Sequence, residues 1–179
     1  VYKRQEHASS INGNQTTPSQ AVILKKAYSE ARKIICVGTK LKRSLCAYVS
    51  DPDKVTVIPN FVDTNTFAFS PHRTEKEKHF TFISIGNLNK RKGFWDLLTA
   101  FHWAFKDMPH VSLLIAGDGE EMQSLKEQIQ SLHLEEQVKL TGRLSREELS
   151  GLLATCDAFV LASFAETFGI VFILSLIHI

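Results

Sequence analysis

From residue 80 onward, short β-branched and aromatic runs alternate with longer segments of helical periodicity. No other feature limits the fold as strongly. The spacing predicts strands over 80–85, 111–116, 137–140 and 158–161. Between them it predicts a helix over 93–106, with Phe94, Leu97, Leu98, Phe101 and Phe105 inward, and one over 120–132, with Met122, Leu125 and Ile129 inward. Ser145 and Glu148 spell a capping box for a third helix, whose Leu149, Leu152 and Leu153 face the core. A fourth helix should open near Phe168. Strands that alternate with helices build a parallel, doubly wound sheet, since a parallel neighbour is reached only through a crossover.

The preceding stretch repeats the pattern more weakly. Thr17 is a cap with Pro18 at the first helical position, and Ala21, Leu24, Tyr28 and Ala31 share one face. Residues 34–37 read as a buried strand. Thr39 is placed to cap a second helix carrying Leu41 and Leu45, and 55–58 is another strand. Residues 63–78 are polar, hold Pro71 and end in a charged run, as a connection between domains would. The expected division is therefore 1–62, a linker over 63–79, and 80–179. There is no internal repeat.

Composition excludes several classes. With 44% apolar and 22% charged residues the chain can bury a core. A formal net charge of +2, with both signs interspersed, gives no footprint for nucleic acid. Cys36, Cys46 and Cys156 are odd in number and far apart, which fits free thiols in a reducing compartment; without a CxxC pair no zinc site is expected. The first residues are basic without an apolar signal core, and the apolar stretch 170–179 is shorter than the roughly 20 residues that cross a bilayer. A cytoplasmic protein is expected, with peripheral contact at the inner face of the membrane left open.

Parallel sheets bind ligands in the loops after the carboxyl ends of their strands, which singles out four segments. Gly86-Asn87-Leu88-Asn89-Lys90-Arg91-Lys92-Gly93 puts three cations at a helix start. Spacing alone supports an anion site and a solvated basic turn equally. Gly117-Asp118-Gly119 lacks the third glycine of a dinucleotide fingerprint, Met122 standing there, so a tight turn is the better reading and a nicotinamide site is disfavoured. Gly142-Arg143 permits close approach to a flat ligand or merely turns the chain, and spacing does not decide. Ser163-Phe164-Ala165-Glu166-Thr167-Phe168-Gly169 sets a carboxylate before a helix, where it faces a sugar hydroxyl or only stabilises the helix dipole. Asp51-Pro52-Asp53 has the spelling of a metal–nucleotide motif but sits in a turn, and Asn14-Gln15-Thr16 is a sequon without meaning in the cytoplasm.

Six segments in order carry a family likeness. They are Glu6-His7-Ala8-Ser9; Val57-Ile58-Pro59-Asn60-Phe61-Val62-Asp63; Gly86-Asn87-Leu88 with Lys92-Gly93; Leu114-Ile115-Ala116-Gly117-Asp118-Gly119; Leu140-Thr141-Gly142-Arg143; and Glu166-Thr167-Phe168-Gly169-Ile170-Val171. Together they resemble the group 1, or family four, glycosyltransferases, which have the GT-B fold. The resemblance implies two Rossmann-like domains. Residues 1–62 would be the tail of the N-terminal, acceptor-side domain, and 80–179 the first half of the nucleotide-sugar-binding domain. It implies retention of anomeric configuration without a metal or other cofactor, a nucleotide-sugar donor, and a glycan or lipid-linked glycan acceptor, as in bacterial polysaccharide biosynthesis. His7 would lie near the reaction centre, Lys92 on the donor diphosphate, Glu166 on the donor sugar, and the amides of Phe168 and Gly169, beside Thr167, on its phosphate. Gly142 and Arg143 would lie near the base.

The chain departs from the family at three points. Asn87 stands where many relatives have Arg. Leu174 stands at the second acid of the E-x7-E motif, the acid that normally holds the ribose. The length falls short of the roughly 300 residues of two full domains. Residues 1–5 and 174–179 resemble translated sequencing-adapter read-through, so the natural residues are expected to be about 6–173, and a chain of this length is expected to be inactive by itself. A GT-B sugar-nucleotide epimerase and a non-catalytic nucleotide-binding module are the competing readings.

Overall fold

The computed structural model describes residues 5–6, 16–67, 79–164 and 169–178. The chain forms two compact units that divide between Phe61 and Val62; the second runs to Phe164 and resumes at Ile170.

In the first unit β1 (Gln5–Glu6), β2 (Ile34–Cys36) and β3 (Val55–Val57) pair in parallel in that order. Helix α1 (Pro18–Glu30) opens with a full capping box: Thr17 Oγ1 accepts from the Gln20 amide at 3.3 Å, and Gln20 Oε1 accepts from the Thr17 amide at 3.0 Å. The next helix, α2 (Thr39–Cys46), corrects the expected cap. Gly38 is the capping residue, in extended conformation with no side-chain bond, and Thr39 is already helical. The core is Tyr28, Ile34, Cys36, Val37, Leu41, Leu45 and Val55. Burial pushes the Cys36 thiol above its ordinary pKa, and the thiol points at the carbonyls of Thr56 and Gly38. Asp51 Oδ1 accepts from the Asp53 amide and opens the short 3-10 turn Pro52–Lys54, so Asp51-Pro52-Asp53 makes a turn.

The second unit alternates β4 (Phe80–Ile85), α3 (Phe94–Phe105), β5 (Val111–Ala116), α4 (Met122–Ser131), β6 (Val138–Gly142), α5 (Arg146–Leu153), β7 (Ala158–Phe159) and α6 (Ile170–His178). All four strands are parallel, in the order β6-β5-β4-β7. The chain starts in the middle, winds outward, then returns to the other side of β4. Sheet pleating divides the core in two. Val111, Leu113 and Ile115 of β5 meet Phe94, Leu98 and Phe101 of α3 and Leu125 of α4, while Ile83 and Ile85 of β4 meet Leu153 of α5 and Leu174 of α6. Helices therefore cover both faces, as a buried parallel sheet requires. Ser145 and Glu148 form the expected capping box of α5, at 3.1 and 2.7 Å.

β2 and β3 each end one residue before the sequence reading, and two strands of this unit depart further. β6 runs on to Gly142, because a register shift at Ile115/Ala116 lets Gly142 pair with Ala116. β7 is only two residues long and borders β4 alone. Asp63 to Phe67 fold with this unit. Asp63 accepts from the Asn65 amide and the Thr66 hydroxyl, both at 2.9 Å, and Ser150 Oγ donates to the Thr66 carbonyl at 2.8 Å. Phe67 is buried beside Ile83 and Leu153. No helix among the described residues is long and apolar enough to cross a membrane.

The loops at the carboxyl ends of the strands are joined backbone to backbone. Gly86 donates to the Ala116 carbonyl at 3.0 Å, Gly117 to Gly142 at 2.9 Å, and Leu88 to Asp118 at 2.9 Å. A Cβ on Gly117, whose φ is +151°, would overlap the Gly86 carbonyl oxygen. One on Gly119 would overlap that of Leu88, and one on Gly93 that of Ala162. Gly142, at φ +76°, has open space where its Cβ would be.

Gly117→Ala therefore combines backbone strain with a clash and should cost about 3 kcal/mol or more in urea unfolding, whereas Gly142→Ala, with strain alone, should cost about 1 kcal/mol. Equal costs would mean the loops are not in contact. Acid should act through two carboxyls. Backbone bonds, from Asn65 to Asp63 and from Ser145 to Glu148, are the largest cause holding each below the usual carboxylate range. A depressed folded pKa contributes stability that is present above the unfolded pKa and is lost as pH falls through the folded one. Glu148→Gln keeps the box neutral, so its stability deficit at pH 7 should shrink in acid-dependent unfolding as pH falls below the usual carboxylate range.

Candidate active site

The strand order places a topological switch point between β4 and β7, whose following loops lead off to opposite sides. The β4 loop carries Asn87 and Lys92, and the β7 loop leads to Ser163 and on toward Glu166. The two are fastened to each other: the Phe164 amide donates to the Arg91 carbonyl at 2.9 Å and Ser163 Oγ to the same oxygen at 3.4 Å. Gly93 lies against the backbone of Ala162. This contact is why Gly93, and no larger residue, fits between the short 3-10 turn Lys90–Lys92 and α3.

A cavity of about 270 Å³ opens where the loops after β4, β5 and β6 converge. Gly86, Asn87, Gly117, Asp118 and Arg143 line it, with Leu144 and Leu149 as its apolar wall. That volume is just under the span of pockets that enclose a drug-sized ligand, so it suits part of a nucleotide and not the whole. The side chain of Asn87 turns toward Gly119, and the Lys92 stem runs beside Gly86, with Cδ and Cε each 3.6 Å from where a Cβ would stand. Lys90, Arg91 and Lys92 form the turn before α3, so three cations precede the twelve-residue helix whose first amides are free of intrahelical partners. Arg143, exposed, follows Gly142 directly at the end of β6.

Of the residues singled out from sequence, Asn87 and Arg143 are brought together on one cavity, Gly142 supplies the strand end behind it, and Lys92 lies beside Gly86 at its edge. Gly169 directly precedes α6 with φ +70°. His7, Glu166, Thr167 and Phe168 lie outside the described residues. Leu174 is only 7% exposed and packs in the core, so position 174 offers no carboxylate. Asp118, Leu144 and Leu149 also line the cavity: Asp118 and Leu144 lie in candidate loops but were not singled out as site residues, and Leu149 has the periodicity of a core residue. Among the described residues no group of three or more His, Cys, Asp or Glu is gathered as a metal site would need.

Comparison with known proteins agrees with the loop geometry. Residues 66–173 match the family model described as glycosyl transferases group 1, and residues 6–66 match that of glycosyltransferase family 4. The chain is similar to the alpha-monoglucosyldiacylglycerol synthase of Streptococcus pneumoniae, 33% identical over 154 residues, which covers 80% of this chain and 35% of that protein. Its fold superposes on Anabaena HepE, solved in complex with UDP-glucose, with a TM-score of 0.79 at 22% identity, covering 96% of this chain and 49% of that one. WaaG, a glycosyltransferase involved in lipopolysaccharide biosynthesis, superposes with a TM-score of 0.80 at 15% identity, covering 99% and 54%. The chain thus spans about a third of the curated relative and half of the solved structures. It belongs to the group 1 glycosyltransferases, and its parallel-sheet architecture is part of a GT-B fold.

Proposed function

We propose that the chain is part of a retaining glycosyltransferase that moves a sugar from a nucleoside-diphosphate sugar to a glycan or lipid-linked glycan, at the inner face of a bacterial membrane. Residues 80–179 hold the donor and 1–62 belong to the acceptor side, with 63–79 connecting them. One observation carries the reading: the loops after β4 and β7, on either side of the switch point, are bound through the Phe164 amide and the Arg91 carbonyl, 2.9 Å apart. The Lys92 loop and the stretch leading to Glu166 are thereby set at the place where open parallel sheets take their ligands.

The chemistry follows from charge. As the glycosidic bond breaks, negative charge grows on the departing diphosphate and the anomeric carbon becomes oxocarbenium-like. A cation and helix-terminal amides already in place lower the energy of that charge most in the transition state. Lys92 supplies the cation and the amides of Phe168 and Gly169 the donors, a role for which other enzymes use a divalent metal. Glu166 orients the donor sugar next to Thr167, and His7 faces the reaction centre from the acceptor side. Gly142 and Arg143 border the base. Asn87, shorter than the Arg of many relatives, leaves phosphate binding to Lys92 with Lys90 or Arg91. Position 174 falls in the segment that resembles read-through, so the acid that holds the ribose is expected in the full-length protein. No residue is assigned as nucleophile.

A transfer assay on the product of the full-length gene, with UDP-, GDP- and ADP-sugars, tests this. Turnover with one donor is expected, and Lys92→Ala should lower kcat by roughly 100-fold or more. Arg143→Ala should weaken nucleoside-diphosphate binding by about tenfold, the scale of one charge-assisted contact. Nucleotide binding without transfer to any acceptor would point to a non-catalytic module, and interconversion of free sugar nucleotides to an epimerase.

A further inference from the structure

A second cavity, of about 410 Å³, shares no lining residue with the first. Gly93, Trp95 and Asp96 at the start of α3, Ser124 in the first turn of α4, and Lys90 and Phe164 line it. All of them belong to the second unit. The volume lies within the span of pockets that enclose a small molecule. Two large aromatic side chains border it, and both are open to solvent: Trp95 is 48% exposed and Phe164 73%. Single exposed aromatics are ordinary, but a pair on one cavity marks a contact surface.

The lining limits the chemistry of a ligand. Asp96, exposed, is an acceptor, and Ser124 Oγ, which donates to the Glu121 carbonyl at 3.0 Å, has lone pairs to accept with. Lys90 adds N–H donors. With a carboxylate and an ammonium on the same cavity, neither an anion nor a cation is favoured. An acyl chain would cover the two rings but would strip water from polar groups and give them no partner, which is costly. A pyranose meets both demands. One face of the ring is a set of C–H groups, which pack on the electron-rich face of an aromatic ring. Its rim is hydroxyls, each able to donate and to accept.

The cavity adjoins the donor crevice through a shared turn. Lys92 lies beside Gly86 at the edge of the first cavity, while Lys90 and Gly93, at the two ends of the same short segment, line the second. Phe164 is held there by the bond from its amide to the Arg91 carbonyl, at 2.9 Å. We propose that the second cavity seats a sugar ring of the acceptor glycan, packed on Trp95 and Phe164 with its hydroxyls bonded to Asp96 and Ser124. The donor-binding unit then carries an acceptor subsite of its own, in addition to the acceptor side at 1–62. That the bound sugar is the acceptor rests on the transferase reading above; that the cavity takes a pyranose rests on its own lining.

The chain has two tryptophans, so Trp103→Phe leaves Trp95 as the only reporter. In that background the methyl glycosides of glucose, galactose, mannose and N-acetylglucosamine are titrated while Trp95 emission is followed. Sorbitol, which has the hydroxyls without a ring face, and 1-hexanol, which is an apolar body with a single hydroxyl, are the controls. A saturable change is expected with at least one glycoside, with both controls at least about tenfold weaker. Phe164→Leu keeps apolar bulk and loses the ring, so it should weaken glycoside binding by about tenfold, and Phe164→Tyr should restore it. In the full-length gene product, Phe164→Leu should raise the KM for the acceptor and leave that for the donor unchanged. Glycoside binding without transfer in the full-length product would sink the transferase reading and leave the sugar site standing. No response to any glycoside, an equal response to sorbitol, tighter binding of hexanol, no effect of Phe164→Leu, or a rise in the donor KM alone would each overturn the proposal.

Discussion

The backbone of Gly117 rests on the carbonyl of Gly86, and the carboxyl edge of the second sheet is built around that contact. It exists because Gly117 carries no Cβ at the point of approach. Gly119 against Leu88 extends it, and Gly93 against Ala162 repeats it on the far side of β4. The hydrogen bonds Gly86 to Ala116 and Gly117 to Gly142 then tie β4, β5 and β6 into one rim. Positions such as Asn87 and Arg143 are held by this rim and not by their own side-chain bonds. A site that must meet a charged leaving group needs its groups placed before the charge appears, and a rigid backbone provides that.

Strand order gives the rim its direction. Because β4 is central and the chain returns to its other side at β7, two loops leave the sheet toward opposite faces and open a crevice between them. The cationic loop and the loop toward Glu166 stand on its two sides, joined at Arg91 and Phe164. Leu144 and Leu149 wall a small cavity beside Arg143, where the loops after β4, β5 and β6 converge.

Much of this was legible from residue patterns, for reasons that differ by element. β4 and β5 were placed to the residue because their β-branched runs are sharply bounded, and α5 because Ser145 and Glu148 are a local hydrogen-bonding device. Gln20 was not noticed as the other half of the same device at Thr17. The end of β6 was misjudged because its last pair depends on a bulge in a neighbouring strand. Thr39 was taken for a cap since threonine usually is one, yet Gly38 in extended conformation already starts the helix. Gly117-Asp118-Gly119 leads from β5 toward α4, but that it also walls a cavity depends on residues thirty positions away. The motif order pointed to the family before any geometry did, although His7 and Glu166 lie outside the described residues.

The central claim is that a nucleoside diphosphate occupies the rim at the carboxyl ends of β4, β5 and β6. Amide chemical-shift mapping of the isotopically labelled chain with UDP, GDP and ADP addresses it directly. The largest shifts should fall on Gly86, Asn87, Lys92, Gly117 and Arg143 for at least one of the three nucleotides, and Arg143→Ala should move their titration to about tenfold higher nucleotide concentration. Shifts confined to residues 16–61, or none at these five amides with any of the nucleotides, would contradict the claim.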